Sequence, residues 1–86
     1  MADVLVCKSN WNGVKHDSFN WHNTDQNSTV EIAQDGNTTW PFGSPSPISV
    51  GPSSKVACTL IATPGTYTYN SNPCSTLGNP KTVIIT

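Results

Sequence analysis

The chain contains no arginine and only four lysines, so it has no cationic stripe. A phosphate backbone is held by clustered basic side chains, and their absence excludes nucleic acid as the main partner. Charge of either sign is scarce: charged residues make up 10% of the 86, and the formal net charge is −1. No apolar run approaches the ~18 residues of a membrane span. No cationic start leads into an apolar stretch, so no signal peptide is visible, and Met1 is compatible with a start that replaced one. Helix formers are thin: three Leu, four Ala and a single Glu. Catalytic equipment is thin too. There are two histidines, no Gly-x-Ser-x-Gly elbow, no paired carboxylates at a working spacing and no Gly-rich phosphate cradle. The expectation is that the protein is not an enzyme. A catalytic reading would need Ser28 or Ser71 in contact with His16 or His22.

What the chain has instead is small polar residues: 9 Asn, 10 Ser and 11 Thr. With Val and Ile, threonine brings the β-branched residues to 23, punctuated by 7 Pro and 6 Gly. That composition predicts an all-β chain of short strands and many turns. Its length predicts one domain, residues 1–86. A chain this short buries only about 60–65% of its unfolded surface, so a covalent staple would matter.

Period-2 alternation places the strands. Asp3–Cys7 is an apolar run, expected to be buried on both faces. Asn12–Gly13 has turn chemistry that favours positive φ, and Val14–His16 follows as a possible short strand. Phe19 and Trp21 share one face, as do Val30 and Ile32. Ile48–Val50 is a possible edge segment in a Pro/Ser/Gly-rich stretch. Lys55–Ala62 is a strand with Val56, Cys58 and Leu60 on one side. Pro64–Gly65 suits the corners of a type II turn. Tyr67–Tyr69 and Thr82–Ile85 are the last strands, separated by a loop over Asn70–Pro80. Seven or eight strands at about ten-residue spacing predict a β-sandwich.

The segment Lys55–Tyr69, which ends Pro-Gly-Thr-Tyr-Thr-Tyr, resembles the penultimate hairpin of the cupredoxins. A loop and a closing Val83-Ile84-Ile85 strand follow, as in that family. Phe19-Asn-Trp-His-Asn-Thr-Asp25 resembles the family's Val-x-Trp-x-Asn-x-Asp. The resemblance implies a cupredoxin-like Greek-key β-sandwich of 7–8 strands. It also implies where a mononuclear copper centre would stand. Ser28, or Asn27 with a one-residue slip, falls at the first histidine. Ser71 falls at the thiolate, Cys74 at the second histidine and Asn79 at the axial methionine. A blue-copper centre needs two imidazoles, a thiolate and a weak axial donor, and this set supplies none of that. Taking Cys74 as the thiolate instead leaves no histidine downstream.

The expectation is therefore a cupredoxin-like domain with no cofactor, a non-catalytic binding or structural module working outside the cytoplasm. The alternative is copper binding at a rearranged site that draws on His16, His22 and a cysteine. Its partner would be a protein or a carbohydrate, met by the loops at the former ligand end, with Trp40, Phe42, Asn72 and Pro73 as the candidate surface. Trp11 and Trp40 lie in turn-rich stretches, where they would either stack a sugar or cap the core. Three cysteines leave the pairing open. The first expectation is no disulfide; the family's geometry makes Cys7–Cys74 conceivable, and Cys7–Cys58 is a further alternative. The motifs Asn27-Ser28-Thr29 and Asn37-Thr38-Thr39 match glycosylation sequons, but a chain this rich in Asn, Ser and Thr produces such matches by chance.

Overall fold

Alternating apolar residues become strands wherever one face can be covered, and eight strands form. They are β1 (Ala2–Leu5), β2 (Asn10–Gly13), β3 (Ser18–His22), β4 (Val30–Ala33), β5 (Ile48–Val50), β6 (Lys55–Thr59), β7 (Gly65–Asn72) and β8 (Lys81–Ile85). The computed structural model describes residues 2–74 and 80–86, and contains no helix among them. Two sheets result, ordered β1-β3-β6 and β2-β8-β7-β4-β5. β1 runs parallel to β3 and β2 parallel to β8; the remaining pairs are antiparallel. The chain changes sheet between β1 and β2 and again between β2 and β3. This gives the all-β sandwich that the residue pattern predicts.

Phe19 and Trp21, and Val30 and Ile32, point inward as their alternation marks them, and Cys58, Leu60, Val83 and Ile85 are buried as well. Aromatic rings fill the middle. Trp21 is fully buried, with the rings of Trp11, Phe19, Phe42 and Tyr69 around it at centroid distances of 5.1–5.7 Å, mostly edge-on. Edge-to-face packing of this kind adds about 0.5–1.5 kcal/mol per pair beyond simple burial. The Trp11 indole N–H donates to the Tyr69 hydroxyl at 2.8 Å, so one buried polar pair satisfies itself. Burial also pushes the Tyr69 phenol well above its ordinary range, although the Trp11 hydrogen bond works in the other direction. The Trp21 N–H has no acceptor among the described residues.

Several local expectations change in three dimensions. Asp3–Cys7 is not covered on both faces: β1 is the edge of its sheet, and Leu5 is 49% exposed. Asn12–Gly13 is not a turn but the end of β2, and Gly13 has no positive φ. Its small size is what the site requires, because a Cβ there would overlap the Leu60 side chain. Gly65 also lacks the positive φ of a type II corner. Val14–His16 is a turn closed by Asp17 N–H to Val14 O at 3.0 Å, with His16 at φ 74°. The strand expected over Lys55–Ala62 ends at Thr59, and Ile61 beyond it is 50% exposed. The expected loop from Asn70 begins three residues later, because Asn70–Asn72 continue β7 against β4.

Candidate functional site

β3 gives the sandwich its two ends. His22 pairs with Leu5 and Lys55 at one end, and Ser18 pairs with Thr59 at the other. The chain leaving β1 passes Val6 and reaches Cys7 at the His22 end. There a disulfide joins Cys7 to Cys74, across 67 residues of sequence and a Cα–Cα distance of 5.6 Å. Cys58 remains a buried free thiol in β6, as a small hydrophobe would. Of the pairings left open by the sequence, the structure takes Cys7–Cys74.

Around the disulfide the polar groups are committed to structure. Ser71 is fully buried, and its hydroxyl donates to the Val6 carbonyl. The same Oγ lies 3.4 Å from Cys74 Sγ. Asn23, just beyond β3, ties the end together. Its side-chain NH2 lies 2.8 Å from Ser28 O, 3.0 Å from Val50 O and 3.1 Å from Gly51 O, while its Oδ1 accepts from Asp25 N at 3.0 Å. Its backbone N–H donates to Ser54 O at 2.9 Å. One buried amide thus joins the β3–β4 loop to the β5–β6 loop, because a single Asn supplies both donors and an acceptor. Asn23 was never assigned a role from sequence, although it is the second Asn of the Phe19–Asp25 motif that carried the resemblance.

A cleft of about 770 Å³ opens beside the disulfide. Leu5, Val6, Val30 and Pro73 form its apolar walls, and Lys8, His22, Asp25 and Ser28 bring polar groups to it. Three of the four positions aligned with copper ligands gather at this end. Ser28 lines the cleft, Ser71 lies beneath Cys74, and Cys74 is in the disulfide. Asn79 lies outside the described residues. No three His, Cys, Asp or Glu side chains converge as a metal-binding group among the described residues. Cys74 offers no thiolate while it is bonded to Cys7, and the remaining thiol, Cys58, is buried in β6. The residues present do not fit a type 1 copper ion.

The candidate binding residues also part company. Asn72 and Pro73 are exposed at the Cys7–Cys74 end. Trp40 and Phe42 are not with them. Phe42 bridges Leu60, one residue past the Thr59 partner of Ser18, so this segment lies at the opposite end. Phe42 is 1% exposed and belongs to the core, so it cannot present a surface. Trp40 is half-buried, edge-on to Phe42 at 5.0 Å, and its indole N–H donates to Ser44 O at 2.7 Å. Trp11, at 9% exposure, is a core residue of β2 rather than a loop residue. Of the two roles the sequence offered Trp11 and Trp40, packing against the core is the one the structure shows. His16 sits beside Leu60 through a 2.7 Å backbone hydrogen bond, far from Ser28 and Ser71, so a Ser–His pair with it is not formed.

No protein-family model matches the chain. No curated protein matches it either. Solved structures do match. A Cu(I) form of a point variant of amicyanin superposes with a TM-score of 0.65 at 12% identity, over 98% of this chain and 80% of that one. An oxidized amicyanin variant gives 0.66 at 14% identity, over 99% and 79%. A reduced Cu(I) form at pH 4 gives 0.62 at 14% identity, over 99% and 81%. Nearly the whole chain takes part in each superposition, and the eight-stranded sandwich described above is a cupredoxin fold on a strongly divergent sequence.

Proposed function

We propose that this chain is a cupredoxin-fold module that works by binding, without a type 1 copper ion and without catalysis. The observation that carries the reading is the Cys7–Cys74 disulfide: the sulfur nearest the expected ligand positions is already bonded to carbon-chain sulfur across the fold. In place of a metal ion joining loops, a covalent bridge and the Asn23 amide join them. The cleft beside the bridge is the surface this reading assigns to a partner, a protein or a carbohydrate. A persistent disulfide fits an oxidising compartment outside the cytoplasm.

The test is titration of the oxidised protein with Cu(II). The expected result is no intense visible absorption band, no type 1 electron paramagnetic signal and no change in melting temperature. A strong charge-transfer band or a metal-dependent rise in melting temperature overturns the reading. A second reading has one observation in its favour: Cys7, Cys74 and His22 all border the same cleft. Reduction would release two thiols there, a soft donor pair suited to Cu(I). Stoichiometric Cu(I) retention by the reduced protein, lost in Cys74→Ala, would support that reading.

A further inference from the structure

The two sheets end in four edge strands, β1 and β6 in one and β2 and β5 in the other. A sheet edge presents unpaired backbone N–H and C=O groups and is ordinarily blunted against pairing with another chain. Two of the four are. β5 is three residues long and lies between Pro47 and Pro52. β6 is covered at its far end, where Gly43 N–H donates to Thr59 O at 2.8 Å and Ile61 N–H to Pro41 O at 3.0 Å. β1 has no such protection among the described residues. It holds no proline, and its one charge, Asp3, is already paired with Lys55 at 2.8 Å. Val6 N–H donates to His22 O, so Val4 faces β3 as well, and the N–H and C=O groups of Asp3 and Leu5 point the other way. The Leu5 carbonyl accepts from Lys8 N–H at 3.1 Å, and the other three groups meet no strand among the described residues. β2 is open too, but Asn10 and Asn12 stand on its edge, whereas β1 holds Leu5, 49% exposed.

A concavity of about 1020 Å³ runs along this edge, between β1 and β2. Val4 and Trp11 line it, and at 9% exposure each they are the least covered members of the buried core. Asp3 and Lys8 line it as well, one charge of each sign. That combination suits a second copy of the same surface, because a two-fold interface must be complementary to itself. An antiparallel pair of β1 strands centred on Val4 sets Asp3 of each copy opposite Leu5 of the other. Both residues turn their backbone groups to the partner, so four N–H···O bonds form. This register also avoids Asp3 opposite Asp3, a like-charge pair that would destabilise it. Lys8 has no ion pair among the described residues, and its turn holds it against Leu5, so it comes beside Asp3 of the second copy. We propose that the chain forms a two-fold dimer through its β1 edges, joining two three-stranded sheets into one of six. The contact is short, which places it with weak, transient interfaces and a dissociation constant on the order of 10–100 µM. The proposal goes beyond the reading of the chain as a binding module and does not depend on copper.

The experiment follows the full oxidised chain by sedimentation velocity and by amide hydrogen exchange as its concentration rises. The expected result is a monomer–dimer equilibrium in which the Asp3 and Leu5 amides become protected while those of Asn10 and Asn12 do not. Leu5→Asp puts a carboxylate opposite Asp3 of the second copy and should weaken the dimer at least tenfold. Leu5→Lys puts an ammonium there and should hold the parent affinity within about threefold. Asp3→Pro removes an N–H that faces away from β3, so the fold keeps its ladder and the dimer should again weaken at least tenfold; it serves should Leu5→Asp fail to fold. Ile61→Lys, at an exposed apolar residue away from β1, should dimerise as the parent does. The proposal is overturned by a monomer at every concentration, by open-ended assembly, or by protection of Asn10 and Asn12 in place of Asp3 and Leu5. Equal loss in Leu5→Asp and Leu5→Lys, or loss in Ile61→Lys, overturns it too, since either would mark unspecific apolar contact. None of these outcomes alters the copper titration, so the two readings fail separately.

Discussion

Removing the Cys7–Cys74 bridge should cost this protein a large share of its stability. The bridge closes a segment of 67 residues, nearly the length of the chain. In the chain-entropy account, such a loop restricts the unfolded state by roughly 15 cal/mol/K, or about 4 kcal/mol at 25 °C. A chain of 86 residues has a total stability of about 4–13 kcal/mol. The bridge therefore supplies at least about a third of it. Cys7→Ala/Cys74→Ala leaves the Ser71 hydrogen bond to Val6 and the Asn23 network intact, so the native state loses little besides the covalent link. The expected fall in melting temperature is about 15–30 °C, followed by circular dichroism or by the fluorescence of the buried tryptophans. Reduction of the parent protein should reproduce it, while Cys58→Ala alone should not. A fall of less than about 5 °C refutes the reasoning, because it would mean that the two ends stay close in the unfolded chain without the bond.

Three further outcomes follow from single residues. Asn23→Ala leaves the Ser28, Val50 and Gly51 carbonyls without their shared donor and should cost about 2–4 kcal/mol in urea unfolding; a loss under about 0.5 kcal/mol would show that water replaces the amide. Gly13→Ala drives a methyl group into Leu60 and should cost about 1–3 kcal/mol, whereas Gly13→Ala/Leu60→Val should recover part of that loss. Stability should also fall at both extremes of pH. Hydrogen bonds from Lys55 and Asn20 hold the Asp3 carboxyl below its ordinary 3.8. At Asp35 burial pushes upward, but hydrogen bonds from Thr68, Asn37 and Thr38 outweigh it and leave that carboxyl low as well. Their contribution is complete above about pH 4 and is lost as pH falls through the lowered native values. Tyr69 runs the other way: its raised pKa favours the neutral native form, so stability declines as pH rises past its ordinary 10.0. Melting curves from pH 2 to 12 measure both limbs, and Asp3→Asn should blunt the acid one.

The inward faces were legible in the residues because alternation is local: two positions apart means the same side of a strand, whatever the strand meets. Phe19 and Trp21, and Val30 and Ile32, went where that rule sends them, whereas the strand of Cys58 and Ile61, apolar on both faces, gave no inward side until the other sheet covered Cys58 and Leu60. The motif residues led to the right fold.

What the sequence alone determined is thus the all-β class, the inward side of the cleanly alternating strands β3 and β4, and the kinds of side chain available. The tertiary structure alone decided which of them meet. Cys7 and Cys74 are joined across 67 residues, Gly13 is small because Leu60 lies against it, and Phe42 is a core ring at the end away from the cleft. Leu5 is left exposed because its strand takes the edge of a sheet. Each of these depends on contacts between segments distant in the chain, and a local pattern carries no record of which distant partner a strand will choose.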